Sequence, residues 1–221
     1  MAYIPILFNT EMVQAIQAGR KTQTRRVMKL KYKDNEAGFQ ILTNKHDGKF
    51  AYAEYYDEDE TPTRMITPPC MPGSILWVRE TWGKLTECNV YPPYEPEEER
   101  FIYRADIGDP DHFQAKWHPS IHMPKEAARI FLQVKDVRVE RLLDITEEDA
   151  VREGCYAGYK SPPTPLSDPN ETYVNTAKDH FCFVWEATVK PADWDVYGIN
   201  GNPWVWVIEF ERCEKPEGWC S

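Results

Sequence analysis

The chain has 221 residues, 42% of them hydrophobic, and a formal net charge of −10 from 26 basic and 36 acidic side chains. That length suits one domain with decorations, or at most two small ones. The acidic balance excludes a polycation of the histone or ribosomal kind, and no run approaches the ~20 apolar residues of a membrane span.

Taken in chain order, Ile4 to Phe8 reads as a short buried strand. Asn9 or Thr10 is placed to cap the helix that follows, with Met12, Val13 and Ile16 at helical spacing and Gly19 at its C′ position. Thr22 to Val27 predicts a second strand. Residues 34–72 are polar and turn-rich (DEDETP, TPPCMPG) and read as an insertion, with a hairpin around Phe50 to Tyr56. Ile75 to Glu80 (ILWVRE) predicts a strand buried on both faces. Residues 83–99 read as a surface excursion, Phe101 to Arg104 as a short strand and GDPD as a loop. Ala128 to Leu143 carries the strongest strand signal. Its alternation changes phase near Lys135-Asp136, which predicts a bulge or bend. Thr146 opens a short capped helix with Glu147, Glu148 and Asp149 in its first turn, ending at Glu153 before Gly154. Residues 157–172 read as loop. Asn175 to Thr188 predicts a helix with Phe181, Val184 and Trp185 on one stripe. Pro203 to Glu211 closes as a strand with Trp204, Trp206, Ile208 and Phe210 on one face.

This order predicts an α+β, mainly β fold: a small β-barrel or strongly bent sheet with short flanking helices and inserted loops. The whole chain, 1–221, reads as a single domain with insertions at about 34–72, 83–118 and 157–200. Six scattered cysteines without CxxC spacing, and five His without HxxxH or HExxH, predict no metal site; no glycine-rich phosphate loop is present, and no cofactor is expected. The start, MAYIPILFNTEM, lacks a basic n-region and a long apolar run, so a cytoplasmic protein is expected.

Charge is unevenly spread. From Met12 to Lys33 there is no acidic residue, while Arg20, Lys21, Arg25, Arg26, Lys29, Lys31 and Lys33 are all cationic. A basic strip on an acidic body can hold an anion locally; the plainer reading is a solvated face. Within G-R-K-T-Q-T-R-R (Gly19 to Arg26), Lys21 falls in a turn and Thr24 just inside a strand. Crowding by Arg20, Arg25 and Arg26 is expected to depress the Lys21 pKa, so that its amine could take a proton from a hydroxyl. The same cations, with Thr22, could instead clamp phosphate oxygens, or the segment could be an ordinary turn and strand start. Glu153, at the negative end of its helix, would be relieved by a partner such as Lys21. In W-H-P-S-I-H-M-P, Ser120 and His122 sit two apart in a Pro-bounded loop, where they could hydrogen-bond a base or ribose while Trp117 stacks on it. Trp77 and Arg79 of LWVRETW read first as core, with Arg79 satisfying a buried or cleft partner.

The ordered segments ILFNTEMVQAIQAGRKTQTRR, GSILWVRETW, PSIHMPKEAARIFLQVKDVRVERLLDITEEDAVREG and WVWVIEF resemble an uncharacterised group of ASCH-domain proteins often carried by bacteriophages. The resemblance spans about half the chain. It implies a PUA-like barrel and, as generally proposed for that group, RNA binding. Within it, the 4-acetylcytidine amidohydrolases carry a G-R-K-T-x-T-x-R motif similar to Gly19 to Arg26. By that likeness Thr24 is the nucleophile, Lys21 its activator and Glu153 the acid/base or orienting carboxylate. Arg25 departs from those small enzymes, which tend to be apolar there, and is expected to make the pocket mouth more cationic. Two main expectations follow: an amidohydrolase acting on an acylated cytosine-type nucleoside, or a non-catalytic binder of RNA or modified nucleic acid with Arg20, Lys21, Arg25 and Arg26 on phosphate. Two weaker expectations are a protein that binds a host factor through its acidic inserts, and a ribonuclease.

Overall fold

The structure, a computed structural model, describes residues 2–31, 36–43, 51–85, 101–107, 115–160, 173–174 and 176–219. In chain order its elements are β1 (Tyr3–Leu7), α1 (Thr10–Gln17), β2 (Gln23–Val27), β3 (Gly38–Thr43), β4 (Ala51–Tyr56), β5 (Pro62–Ile66), β6 (Ile75–Arg79), β7 (Trp82–Lys84), β8 (Phe101–Tyr103), β9 (Phe131–Arg141), α2 (Glu147–Arg152), β10 (Tyr159–Lys160), β11 (Tyr173–Val174), α3 (Ala177–Thr188), α4 (Trp194–Tyr197) and β12 (Trp204–Cys213). The architecture is α+β and rich in strands. Among the described residues no sheet closes on itself. The chain divides into two compact units, each assembled from separate stretches of sequence.

The first unit comprises 1–19, 73–133 and 211–221. Here β1 runs parallel to β6, and β6 pairs antiparallel with the start of β9 through Ile75↔Gln133 and Trp77↔Phe131. The Asn9 side chain accepts from the Met12 N–H and starts α1, which buries Val13, Ala15 and Ile16. A positive φ of 72° at Gly19, a region costly for residues with a Cβ, ends that segment. Ile75, Trp82, Met123, Ala127, Phe131 and Trp219 form an apolar core. Residues expected to be a surface excursion begin instead with β7, which pairs with β8 and bridges to His118. The excursion beyond it, and the GDPD loop, lie outside the described residues.

The second unit comprises 20–72 and 134–210. In it β9 neighbours β12, and β12 pairs antiparallel with β2. The register matches Val205 with Val27, Val207 with Arg25 and Glu209 with Gln23, and in the other phase Trp206 with Arg26 and Ile208 with Thr24. Cross-strand partners share a sheet face. Gln23, Arg25, Val27, Val205 and Val207 therefore lie on one face, and Thr24, Arg26, Trp206 and Ile208 on the other. Val205 and Val207 pack with Leu142, Ile145, Ala150, Phe181 and Trp185, which sets the face holding Arg25 against α2 and α3. The turn-rich insertion holds more than a hairpin: β3, β4 and β5 form a three-stranded antiparallel sheet with Ala51, Ala53 and Tyr55 buried in alternation. Phe50 lies outside the described residues.

Two helices of this unit, α2 and α3, start on threonine caps. Thr146 accepts from the Asp149 N–H, and Thr176 forms a reciprocal capping box with Asp179. The short α2 has little propensity in reserve, so its cap matters. Thr146→Ala is expected to lower stability by about 1 kcal/mol and Thr146→Ser to retain most of it, as read by urea unfolding.

Candidate functional site

A helix leaves its last carbonyls without intrahelical donors. At the end of α2 these donors come from the turn that precedes β2. The Thr22 N–H donates to the Arg152 carbonyl at 2.8 Å, Lys21 Nζ to the Glu153 carbonyl at 2.8 Å, and Arg20 Nη1 to the Gly154 carbonyl at 3.0 Å. Three consecutive residues thus cap three consecutive carbonyls. Two of them bring positive charge to the negative end of the helix dipole. Gly154, with φ of 94°, turns the chain away after Glu153.

The same contacts deliver Lys21 to the Glu153 side chain. Nζ lies 2.9 Å from Oε2 and also donates to the Gln23 carbonyl at 2.9 Å, so its three protons meet three oxygens. The other carboxylate oxygen, Oε1, accepts from Arg25 Nη1 at 3.1 Å. Arg25 Nη2 reaches Glu140 Oε2 at 3.0 Å and Asp149 Oδ2 at 3.3 Å. The side chains of Lys21 and Arg25 are 0% exposed and that of Glu153 is 6% exposed. Arg138 extends the cluster to Glu140, Asp149 and Glu209, and Arg152 lies 3.7 Å from Glu209. Four cations therefore face four carboxylates. Gln23 donates to both the backbone carbonyl and the carboxylate of Asp149, while its own Oε1, like Arg25 Nε, is buried without a hydrogen-bond partner.

Burial drives the Lys21 pKa below its ordinary 10.5; Glu153 opposes the shift and Arg26 adds to it. The direction agrees with the sequence expectation but the principal cause differs: desolvation dominates, and like-charge crowding is secondary. The expected cationic mouth at Arg25 is corrected outright. That side chain is buried between carboxylates, because β2 pairs it with Val207 on the face covered by α2 and α3.

Thr24 is 2% exposed and lies on the opposite face of β2 from Gln23 and Arg25, beside Ile208. Lys21 precedes the strand and is not bound by that alternation. Thr22 is exposed and fixed by its backbone: its N–H caps α2 and its carbonyl accepts from Phe210. Arg20 is exposed, with its guanidinium carbon 5.8 Å from the Tyr156 ring centroid. Arg26 is half-buried on the Thr24 face.

The remaining candidates belong to the first unit. Arg79 donates to the Ile121 carbonyl and sits 5.6 Å from the Trp77 centroid. Trp117 lies 5.7 Å from the Arg104 guanidinium. Ser120 and His122 occupy one 3₁₀ turn, half-buried and exposed respectively. Sequence reasoning missed Gln23, Arg138 and Glu140, and gave Asp149 only a dipole role. Arg138 and Glu140 did leave a signal, since they alternate with Val137 and Val139 and so share one face of β9. Among the described residues no group of His, Cys, Asp and Glu is arranged to hold a metal ion.

Compared with protein families, curated proteins and solved structures, the chain matches none.

Two outcomes follow from the charge cluster. Glu153→Ala leaves a buried ammonium and guanidinium short of one counter-charge and is expected to cost about 3–5 kcal/mol in urea unfolding. Asp149 supplies a pH signature. Burial alone would raise its carboxyl, but Arg25, Gln23 and Arg138 together hold it below 3.8. Its folded value is lower than its unfolded one, so its stabilisation is complete above the unfolded pKa and drains as pH falls through the folded one. The stability difference between wild type and Asp149→Asn is therefore expected at pH 6 and shrinks once pH drops below about 4.

Proposed function

We propose that the chain is an ASCH-type amidohydrolase of PUA-like fold, acting on an acylated cytosine-type base in a nucleoside or RNA. The observation that carries this reading is the buried 2.9 Å contact between Lys21 Nζ and Glu153 Oε2; Thr24 follows Lys21 by three residues in the chain. The strand-rich α+β make-up supports the fold assignment at its coarsest level. Burial shifts Lys21 toward the neutral amine, the form that accepts a proton, and a carboxylate on the same nitrogen can pass that proton on. In this mechanism Thr24 Oγ attacks the acyl carbon, its proton moves to Lys21, and the C–N bond breaks as the base amino group is reprotonated. Water then cleaves the threonine ester, with Glu153 assisting proton transfer.

Polyanion binding by the basic segment has less support. Lys21 and Arg25, two of its cations, are buried against carboxylates and have no charge to spare for phosphate. A phosphate-binding strip would also weaken steeply with added salt.

The test is hydrolysis of 4-acetylcytidine and of other acylated cytosine nucleosides and nucleotides, followed by chromatography. Wild type is expected to release the deacylated base. Thr24→Ala lowers kcat by about 10³-fold or more while far-UV circular dichroism is unchanged. The rate should rise with pH through a value below 10.5, as Lys21 loses its proton. Absence of turnover by wild type across that substrate set removes this reading.

A further inference from the structure

The Glu153 carboxylate is shared between two cations. One oxygen takes Lys21 and the other takes Arg25, and Arg25 is itself held from behind by Glu140 and Asp149. The guanidinium is planar, carries its donors in a fixed fork, and here reaches three carboxylates from one buried position. Its carbon also lies 5.7 Å from the Phe181 ring centroid, on the face packed against α3. An ammonium at the same place offers a single nitrogen on a flexible stem and could not span these acceptors.

We propose that Arg25 is a positioning residue: it fixes the orientation of the Glu153 carboxylate and draws off part of its charge, leaving Lys21 on one oxygen and free to exchange its proton. Arg25 has no role on substrate in this scheme. It acts through Glu153, and it makes the amine at Lys21 a proton carrier rather than half of a closed ion pair. The charged and titratable groups bearing on Lys21 are Glu153 and Cys155 at and beyond the end of α2, and Arg26 on β2; those bearing on the far side of Arg25 are Glu140 on β9 and Asp149 on α2. The two cations compete for one anion. A carboxylate with a second cation on its other oxygen stabilises the first cation less than a carboxylate left to it alone. Taking the guanidinium away hands the whole charge of Glu153 to Lys21, which then grips its proton.

The role given to Arg25 rests on the amidohydrolase reading of Lys21 and Glu153, but its readout does not require turnover. The full chain is labelled with ¹⁵N in lysine and arginine, and the Lys21 Nζ titration is followed by NMR in wild type and in Arg25→Lys. The expected result is a proton affinity at Lys21 about tenfold higher in Arg25→Lys. In wild type, the Arg25 Nη resonances are expected to move along the same titration curve as Lys21 Nζ, because both nitrogens hold one carboxylate. A folded Arg25→Lys with an unchanged Lys21 titration overturns the proposal. So do wild-type Arg25 resonances that stay still while Lys21 titrates, a measurement that stands even if the variant does not fold. Where hydrolysis is measurable, Arg25→Lys moves the rising limb of the pH–rate profile upward with KM unchanged. Failure of wild type to hydrolyse any acylated cytosine removes the amidohydrolase reading and leaves this titration result intact.

Discussion

The last carbonyls of α2 need donors, and the turn Arg20-Lys21-Thr22 supplies them. This one set of contacts locks the start of β2 to the end of α2 and fixes where the buried charges of Lys21, Arg25 and Glu153 can go. Once Thr22 is bound to Arg152, β2 is committed to a register in which Gln23 and Arg25 face Asp149 and Glu153. Once Lys21 holds the Glu153 carbonyl, its Nζ is within reach of the carboxylate on the same residue. Because the helix is short, these caps are a large part of what defines its end.

The arrangement carries a definite cost. Removing ammonium, guanidinium and carboxylate groups from water is expensive, and the mutual attraction of the pairs roughly offsets that rather than adding a large surplus. The cluster is therefore poorly explained as a device for stability alone. Its charges are matched in number and its hydrogen bonds are specific. An apolar cluster of equal volume could cover α2 and α3 as well, but it could not hold an amine whose protonation is sensitive to its neighbours.

Much of this was legible in the sequence. Asn9 and Thr146 announced two helix starts, and Gly19 and Gly154 two ends, because capping chemistry is local. The apolar runs at 75–80, 128–143 and 203–211 announced β6, β9 and β12, whose apolar residues are largely buried. The link between Lys21 and Glu153 was expected from the resemblance and from helix-end electrostatics. Arg25 was misread because a run of three arginines around two threonines looks like surface. Its burial depends on partners on β9 and α2 that lie more than a hundred residues away. The sheet of β3 to β5 was underestimated because its buried positions include Ala51 and Ala53, which give a weak hydrophobic alternation, and the turn between β4 and β5 is acidic.

Lys21 and Glu153 are 132 residues apart in the chain, and β2 finds its partner in β12 farther still along the sequence. Closing such loops is an entropic debt that local contacts cannot meet. The caps at Asn9, Thr146 and Thr176 can form early, since each involves neighbours three residues apart. The cations of β2 must stay hydrated until β9, α2 and β12 have gathered. Contacts of such long range carry the largest loop-closure cost, so shielding of the Lys21 and Arg25 protons from solvent depends on β9, α2 and β12 having gathered first.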